Sequence, residues 1–231
     1  HRVYDRVARE MRKAGVPFLA GNAVSERTGK GYLPAYSIVR KGGVKVAVLG
    51  YTNAANASLM DASCVSGIRF KSLLPLVQED VDKVRSKEKP QVVIVVAHTS
   101  MGKGDGQNLE RQGLDLFNSL KGVDVLVTGH DHSTKVLKTD STVLLDCGRA
   151  GQYACLADIK LVVRGGKVIS RSLSGEVESF GSENYDTAME EAFKSDYEKV
   201  RDFNTSHVGE VKKDLVSREF YYRQCDYMNF L

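Results

Sequence analysis

Two of the chain's five histidines stand two positions apart in Gly129-His130-Asp131-His132, directly after the β-forming run "VDVLVT" (123–128). A third, His98, directly follows the β-branched run "QVVIVVA" (91–97). In open α/β sheets, ligands bind outside the carboxyl ends of the strands, so three imidazoles occupy positions where chemistry is done. Imidazole is the commonest metal-ligating side chain near neutral pH. Histidines at i and i+2 past a strand diverge too far to share one ion. They suit two ions about 3.5–4 Å apart, each taking one nitrogen, the spacing used for in-line attack at phosphoryl groups. Gly129 lets the backbone approach such ions closely. A lone histidine at a strand end is more often an exposed or internally satisfied residue. The joint arrangement of His98, His130 and His132 is what points to metal. His1 and His207 lack it and read as structural or solvent-exposed.

Two further residues are candidate substrate contacts. Asn22 lies in an Ala-Gly-Asn-Ala segment near the same edge, set against a turn-forming role. Arg149 lies in "CGRAG", a glycine-flanked loop after a strand, where its planar donor fork suits phosphate, set against a structural ion pair. The loop "GKGDGQN" (102–108) is glycine-rich but lacks the Gly-Lys-Ser/Thr ending of a phosphate cradle. It reads as a flexible loop near the site, with Lys103 and Asp105 as weaker substrate contacts.

The elements that must position these groups alternate. Residues 2–14 pattern as a helix through Val3, Val7 and Met11, stopped by Gly15 and Pro17. "VPFLAGNAV" (16–24) reads as a short buried strand, and "YSIVRKGGVKVAVLG" (36–50) as a hairpin turned at Lys41-Gly42-Gly43. Leu73, Leu74, Val77, Val81 and Val84 mark a second helix. Residues 108–120 read as a third, with Leu109, Leu116, Phe117 and Leu120 inward. The runs 91–97 and 123–129 between them are apolar enough to be strands buried on both faces. From Thr134 the character changes to short turn-separated strands, the last two joined at Gly165-Gly166. The expectation is an α/β fold with a mixed sheet or a two-sheet sandwich. Residues 186–203 form a charged amphipathic helix with Met189, Phe193, Tyr197 and Val200 on one stripe, a linker in character. A further helix is expected to start near Val216.

Composition narrows the partners. With 33 Lys+Arg against 29 Asp+Glu the net charge is +4, scattered along the chain, which leaves no nucleic-acid or membrane footprint. No apolar run approaches the roughly 18 residues of a membrane span. Cys64, Cys147, Cys155 and Cys225 show no Cys-x-x-Cys spacing and suggest neither a zinc site nor a disulfide framework. The chain opens in helical register and closes on the aromatic stretch "FYYRQCDYMNFL", so it reads as an internal piece of a longer protein.

"GHDH" after one buried strand and "AHTSMG" after another resemble the second half of the calcineurin-like metallophosphoesterases. That family carries its ligands in five ordered blocks: D-x-H, G-D, G-N-H-[DE], a lone H, and G-H-x-H. His98 matches the fourth, and Gly129, His130 and His132 the fifth. "FLAGNAVSERTGKGYLPAYSIVRKGGVKVAVLGYTN" and "CGRAGQYAC" resemble stretches of the bacterial 5′-nucleotidase branch. The first three blocks are missing, and family order puts them upstream of His1, whose position does not inherit the family's catalytic histidine.

The resemblance implies a metallophosphoesterase-type sandwich flanked by helices and truncated on its N-terminal side. Residues 1–178 would be the later part of that domain, 179–205 a linker helix, and 206–231 the start of a nucleotide-binding domain. It implies two divalent ions (Zn, Mn or Fe), with His98 and His130 on one and His132 on the other. The implied substrate is a nucleotide phosphoester, with 5′-nucleotides, 2′,3′-cyclic nucleotides and UDP-sugars all handled by relatives. It also implies a bacterial periplasmic or extracellular location. The remainder of the parent chain, or a second copy, is expected to cover the open sheet edge. Two other readings stand beside this one: a nucleotide-cofactor enzyme, disfavoured because no G-x-G-x-x-G follows a first strand, and a non-catalytic fragment or metal-free binding module.

Overall fold

A computed structural model describes residues 2–181, 185–212, 214–216, 218, 224 and 225. They fall into two compact units divided after Gly181. In the first, α1 (Arg2–Lys13) leads through an irregular stretch to β1 (Ala23–Ser25). Then come β2 (Tyr36–Lys41), β3 (Val44–Tyr51), the short helices α2 (Asn56–Leu59) and α3 (Ala62–Val65), and β4 (Ile68–Phe70). α4 (Leu73–Glu88), β5 (Val92–Ala97), α5 (Gly113–Ser119) and β6 (Val125–Thr128) follow. The unit closes with β7 (Thr134–Lys138), β8 (Val143–Cys147), β9 (Tyr153–Arg164) and β10 (Lys167–Ser179).

Six strands form one sheet in the order β2-β3-β5-β6-β8-β7. The central β3, β5, β6 and β8 are parallel, with an antiparallel strand at each edge. Two of the parallel strands, β5 and β6, are the β-branched runs expected to be covered on both faces, but Val96 of β5 remains 41% exposed, so that covering is incomplete. One face is covered by α4 and α5. Leu73, Val77, Val81, Val84 and Leu116 pack there on Leu49, Val93, Val95 and Leu126. The other is covered by the long β9–β10 ribbon, whose Leu173, Ile159 and Cys155 pack on Val125, Val143 and Leu145. Gly175 brings the ribbon close: a Cβ there would lie 2.6 Å from Val143 Cγ1 and 2.8 Å from Leu145 Cδ2. Both hairpins turn on the predicted glycine pairs. Lys41 pairs with Val44 across Gly42-Gly43, and both glycines have positive φ (56° and 77°), as a tight two-residue hairpin turn requires.

Two elements differ from expectation. The stretch 16–24 contributes only the start of Ala23–Ser25 as strand, and this pairs with β4 in a small separate sheet. The helix expected over 108–120 begins only at Gly113, and Leu109 is half-exposed instead of inward. Side chains have taken the backbone groups a helical turn would use. Asn108 Oδ1 accepts from Glu110 N (2.9 Å), and Thr99 Oγ1 accepts from Gln112 N (2.8 Å). The Glu110 carbonyl accepts from Asn53 Nδ2 (3.1 Å) and Thr99 Oγ1 (3.0 Å).

Cys147 and Cys155 are disulfide-bonded with their Cα atoms 5.5 Å apart, correcting the expectation of no disulfide. The pairing joins the end of β8 to the third residue of β9, which only the return of the ribbon brings close. In the second unit, α6 (Thr187–Thr205) is capped by Asp186, whose side chain accepts from Ala188 N and Met189 N. Met189, Phe193, Tyr197, Val200 and Phe203 are exposed along it. Residues 214–216 have no regular structure, and the rest of the helix expected from Val216 lies mostly outside the described residues.

Candidate metal centre

The carboxyl ends of the parallel β3, β5, β6 and β8 share one edge of the sheet, and His98, His130, His132 and Arg149 follow such ends in the chain. His98 follows β5 and His130 lies two residues past β6. An isolated antiparallel bridge between Thr99 and Gly129 draws the two strand ends together. Each imidazole adjoins one residue of that bridge, and they meet edge to face with centroids 4.9 Å apart. His130 Nδ1 and His98 Nε2 are 3.1 Å apart. Two imidazole nitrogens bound to one ion at about 2.05 Å and separated by that distance subtend roughly 100° at the metal, between octahedral and tetrahedral angles. The pair therefore fits two neighbouring coordination positions of a divalent ion. His98 is held below the usual imidazole pKa by partial burial, and further by the His130 and His132 charges, which favours the neutral form that metal ligation requires.

Both His130 and His132 have positive φ (117° and 59°). The His132 value lies in the left-handed region that histidine adopts more readily than most residues, while 117° at His130 is rare outside glycine. His132 is exposed and lies within electrostatic reach of His98. Among the described residues, no three His, Cys, Asp or Glu side chains group closely enough to hold an ion by themselves.

The backbone between the two histidines is anchored by an acidic pair that sequence reading did not single out. Asp131 accepts from Met101 N (3.2 Å) and Ser133 Oγ (3.1 Å). Asp146, on β8 and fully buried, accepts from the same hydroxyl at 3.4 Å, while its Oδ1 has no partner. Burial, and then the adjacent Asp131 carboxylate, push Asp146 up to about 6. Burial also opposes ionisation of Asp131, but the hydrogen bonds it accepts from Met101 and Ser133 outweigh that and hold it below the ordinary value. Glu110 was missed as well. Its Oε1 lies 2.8 Å from His130 Nε2. No spacing rule links it to His130, because a loop places it there.

Asn22 is fully buried. Its Nδ2 donates to the Thr52 and Lys71 carbonyls (2.9 and 3.3 Å), and its Oδ1 accepts from Thr52 N (3.0 Å). It ties the end of β3 to the end of β4. Arg149 is exposed in the turn after β8, closed by Gln152 N donating to the Arg149 carbonyl (3.0 Å). An open cavity of about 660 Å³ beside Asp131 is lined by Lys103, Asp105, Arg111 and Lys135 among others. A mainly apolar cavity of about 260 Å³ is lined by His98, Tyr51, Thr52, Phe18 and Phe70 among others.

No family model matches the chain. It is 28% identical over 120 residues to a 5′-nucleotidase of Vibrio cholerae, a match covering 51% of this chain and 22% of that protein. Among solved structures it superposes on the sulfate thiohydrolase SoxB of Thermus thermophilus with a TM-score of 0.68 and 26% identity, covering 86% of this chain and 35% of that one. It superposes on the calcineurin-like phosphoesterase YfkN of Bacillus subtilis with a TM-score of 0.69 and 19% identity, covering 83% and 64%. The matched stretch is about a fifth of the length of the curated relative.

Proposed function

We propose that the chain is part of a calcineurin-like metallophosphoesterase domain of the 5′-nucleotidase branch, and that its parent protein is a two-metal phosphoester hydrolase acting on nucleotides. The observation that carries the reading is the 3.1 Å approach of His98 Nε2 and His130 Nδ1 at the carboxyl ends of adjacent parallel strands. In this reading His98 and His130 hold one divalent ion and His132 the other, with Zn, Mn or Fe compatible with such donors. The pair of ions, when bound, supplies charge to the phosphoryl oxygens and a water nucleophile.

The remaining roles fall to this chain's own groups. The bridge between Thr99 and Gly129 holds the two imidazoles in register. Asp131, through the Met101 amide, holds the loop between His130 and His132 against the loop after β5. Arg149 is proposed to meet a phosphate oxygen from its exposed turn, and Lys103 to draw anionic substrate into the larger cavity. Asn22, with its amide committed to backbone partners, acts on substrate only by shaping the wall near Thr52.

Residues 1–178 are proposed as the later part of the metallophosphoesterase domain, 179–205 as a linker and 206–231 as the start of a nucleotide-binding domain. The half-exposed Leu156, Val162, Val163 and Ile169 on the β9–β10 ribbon are proposed to be covered by the rest of the parent chain or a second copy. A periplasmic or extracellular location is supported by the Cys147–Cys155 disulfide, which suits an oxidising compartment. Among the described residues no helix is long and apolar enough to cross a membrane.

The test is phosphate release by the full-length parent from AMP, a 2′,3′-cyclic nucleotide and a UDP-sugar, with and without a strong chelator. Chelator-sensitive release from at least one is expected. Full activity in the chelator's presence sinks the mechanism, and no release from any substrate favours the binding-module reading.

A further inference from the structure

His130 has two ring nitrogens with different neighbours. Nδ1 faces His98 Nε2, and Nε2 lies 2.8 Å from Glu110 Oε1. An ionised carboxylate only accepts, so Nε2 carries the hydrogen and Nδ1 keeps its lone pair. Glu110 touches the outer nitrogen of the ring, not the side facing His98, so it stands behind the ligand and not among the ligands.

The contact is built from the backbone outward. Asn108 Oδ1 accepts from Glu110 N at 2.9 Å. The Glu110 carbonyl gathers Asn53 Nδ2 (3.1 Å), Thr99 Oγ1 (3.0 Å) and Ser100 N (3.3 Å). Thr99 and Ser100 directly follow His98, and Thr99 bridges Gly129 beside His130. The loop that melts the start of the expected helix is thus stapled to both histidine-bearing strand ends. The result is one carboxylate held against one imidazole, both about three-quarters buried (30% and 24% side-chain exposure), where water competes weakly for the bond.

We propose that Glu110 is a positioning residue, which by accepting from His130 Nε2–H orients that imidazole so that Nδ1 joins His98 Nε2 as a paired donor to a divalent cation. This rests on the reading of His98 and His130 as metal ligands. Carboxylates behind ligating histidines fix the tautomer and ring orientation and raise ligand basicity, and their loss lowers metal affinity about 10–100-fold.

The test uses the full-length parent protein, stripped of metal and labelled with ¹⁵N-histidine, as wild type, Glu110→Ala and Glu110→Gln. Two readouts are taken: the imidazole N–H resonance of His130 without metal, and Zn²⁺ affinity by calorimetry. The wild type is expected to show a downfield Nε2–H protected from water exchange. Glu110→Ala is expected to lose it and to bind Zn²⁺ about 10–100-fold more weakly. Glu110→Gln keeps an acceptor oxygen, so it should retain the resonance and recover most of the affinity, a rescue that loop packing alone would not produce. Thermal midpoints within a few degrees of wild type confirm that the variants fold. An unchanged His130 resonance in Glu110→Ala, or an affinity within twofold of wild type, overturns the proposal while leaving the metal reading intact. A wild type that binds no Zn²⁺, or binds it equally well after His98→Ala and His130→Ala, overturns the metal reading and this proposal with it.

Discussion

Replacing Asp124 by alanine should unfasten the sheet at the end opposite the histidines. Asp124 immediately precedes β6 and is 1% exposed. Its Oδ2 accepts from Val93 N (2.8 Å) and from Arg85 Nη2 (3.0 Å), and its Oδ1 accepts from Arg171 Nη1. One carboxylate therefore ties β5, β6, α4 and β10 together. Alanine leaves the Val93 amide, on a residue with no exposure, without its side-chain acceptor, which costs about 1–3 kcal/mol. It also strips the counter-charge from two guanidinium groups. Removing one partner of a buried pair costs roughly 3–5 kcal/mol. Arg85 and Arg171 keep 28% and 34% of their side-chain exposure, so water recovers part of that and the lower end applies. The expected loss is about 3 kcal/mol for Asp124→Ala. Asp124→Asn, which keeps one acceptor oxygen, should lose about 2 kcal/mol. The assay is urea denaturation of the chain, comparing midpoints at constant slope. A double-mutant cycle with Arg171→Ala isolates that ion pair. A loss below about 1 kcal/mol for alanine would refute the view that this carboxylate holds the four elements together.

Asp146 makes stability depend on pH. Its folded pKa of about 6 lies above the ordinary 3.8, so the folded state binds the proton more tightly. That contribution is complete below about pH 4 and is lost as pH rises through 6. Asp146→Asn should therefore be more stable than the parent at pH 8, by roughly 1–3 kcal/mol, with the advantage gone at about pH 4. Equal stability gaps at the two pH values in thermal melts would contradict the assignment. Gly175→Ala should destabilise by about 1–3 kcal/mol through overpacking against Val143 and Leu145, and proteolysis should then cut the ribbon sooner. Residues 1–231 alone should turn over nucleotide far more slowly than the intact parent, because imidazoles supply no negative charge to offset two dications. Comparable turnover per mole would show that the assigned ligands are not the ones that matter.

The features legible in the sequence are those whose cause is local. Apolar, largely β-branched runs at 92–97 and 125–128 mark inner strands, and they became the centre of the sheet, with Val96 the one side chain of the two runs left exposed. Glycine pairs at 42–43 and 165–166 permit the positive φ that tight hairpins need. Leu73, Val77 and Val81, spaced four residues apart, form the buried stripe of α4. His98 and His130 could be placed on one edge because a strand's end is readable from its own residues.

What tertiary structure decided lies in contacts between residues far apart in the chain. Glu110 reaches His130 across 20 positions, Asn22 reaches Thr52 across 30, and Asp124 reaches Arg171 across 47. Residues 108–112 have an acceptable helical pattern, yet Thr99 and Asn53 offered their backbone better partners than a helical turn could. Cys147 and Cys155 show no motif, yet the returning ribbon sets them side by side. Periodicity reports which face of an element is apolar. It carries no information about which distant polar group will be waiting when that element docks, and each of these pairings exists only once the chain has closed on itself.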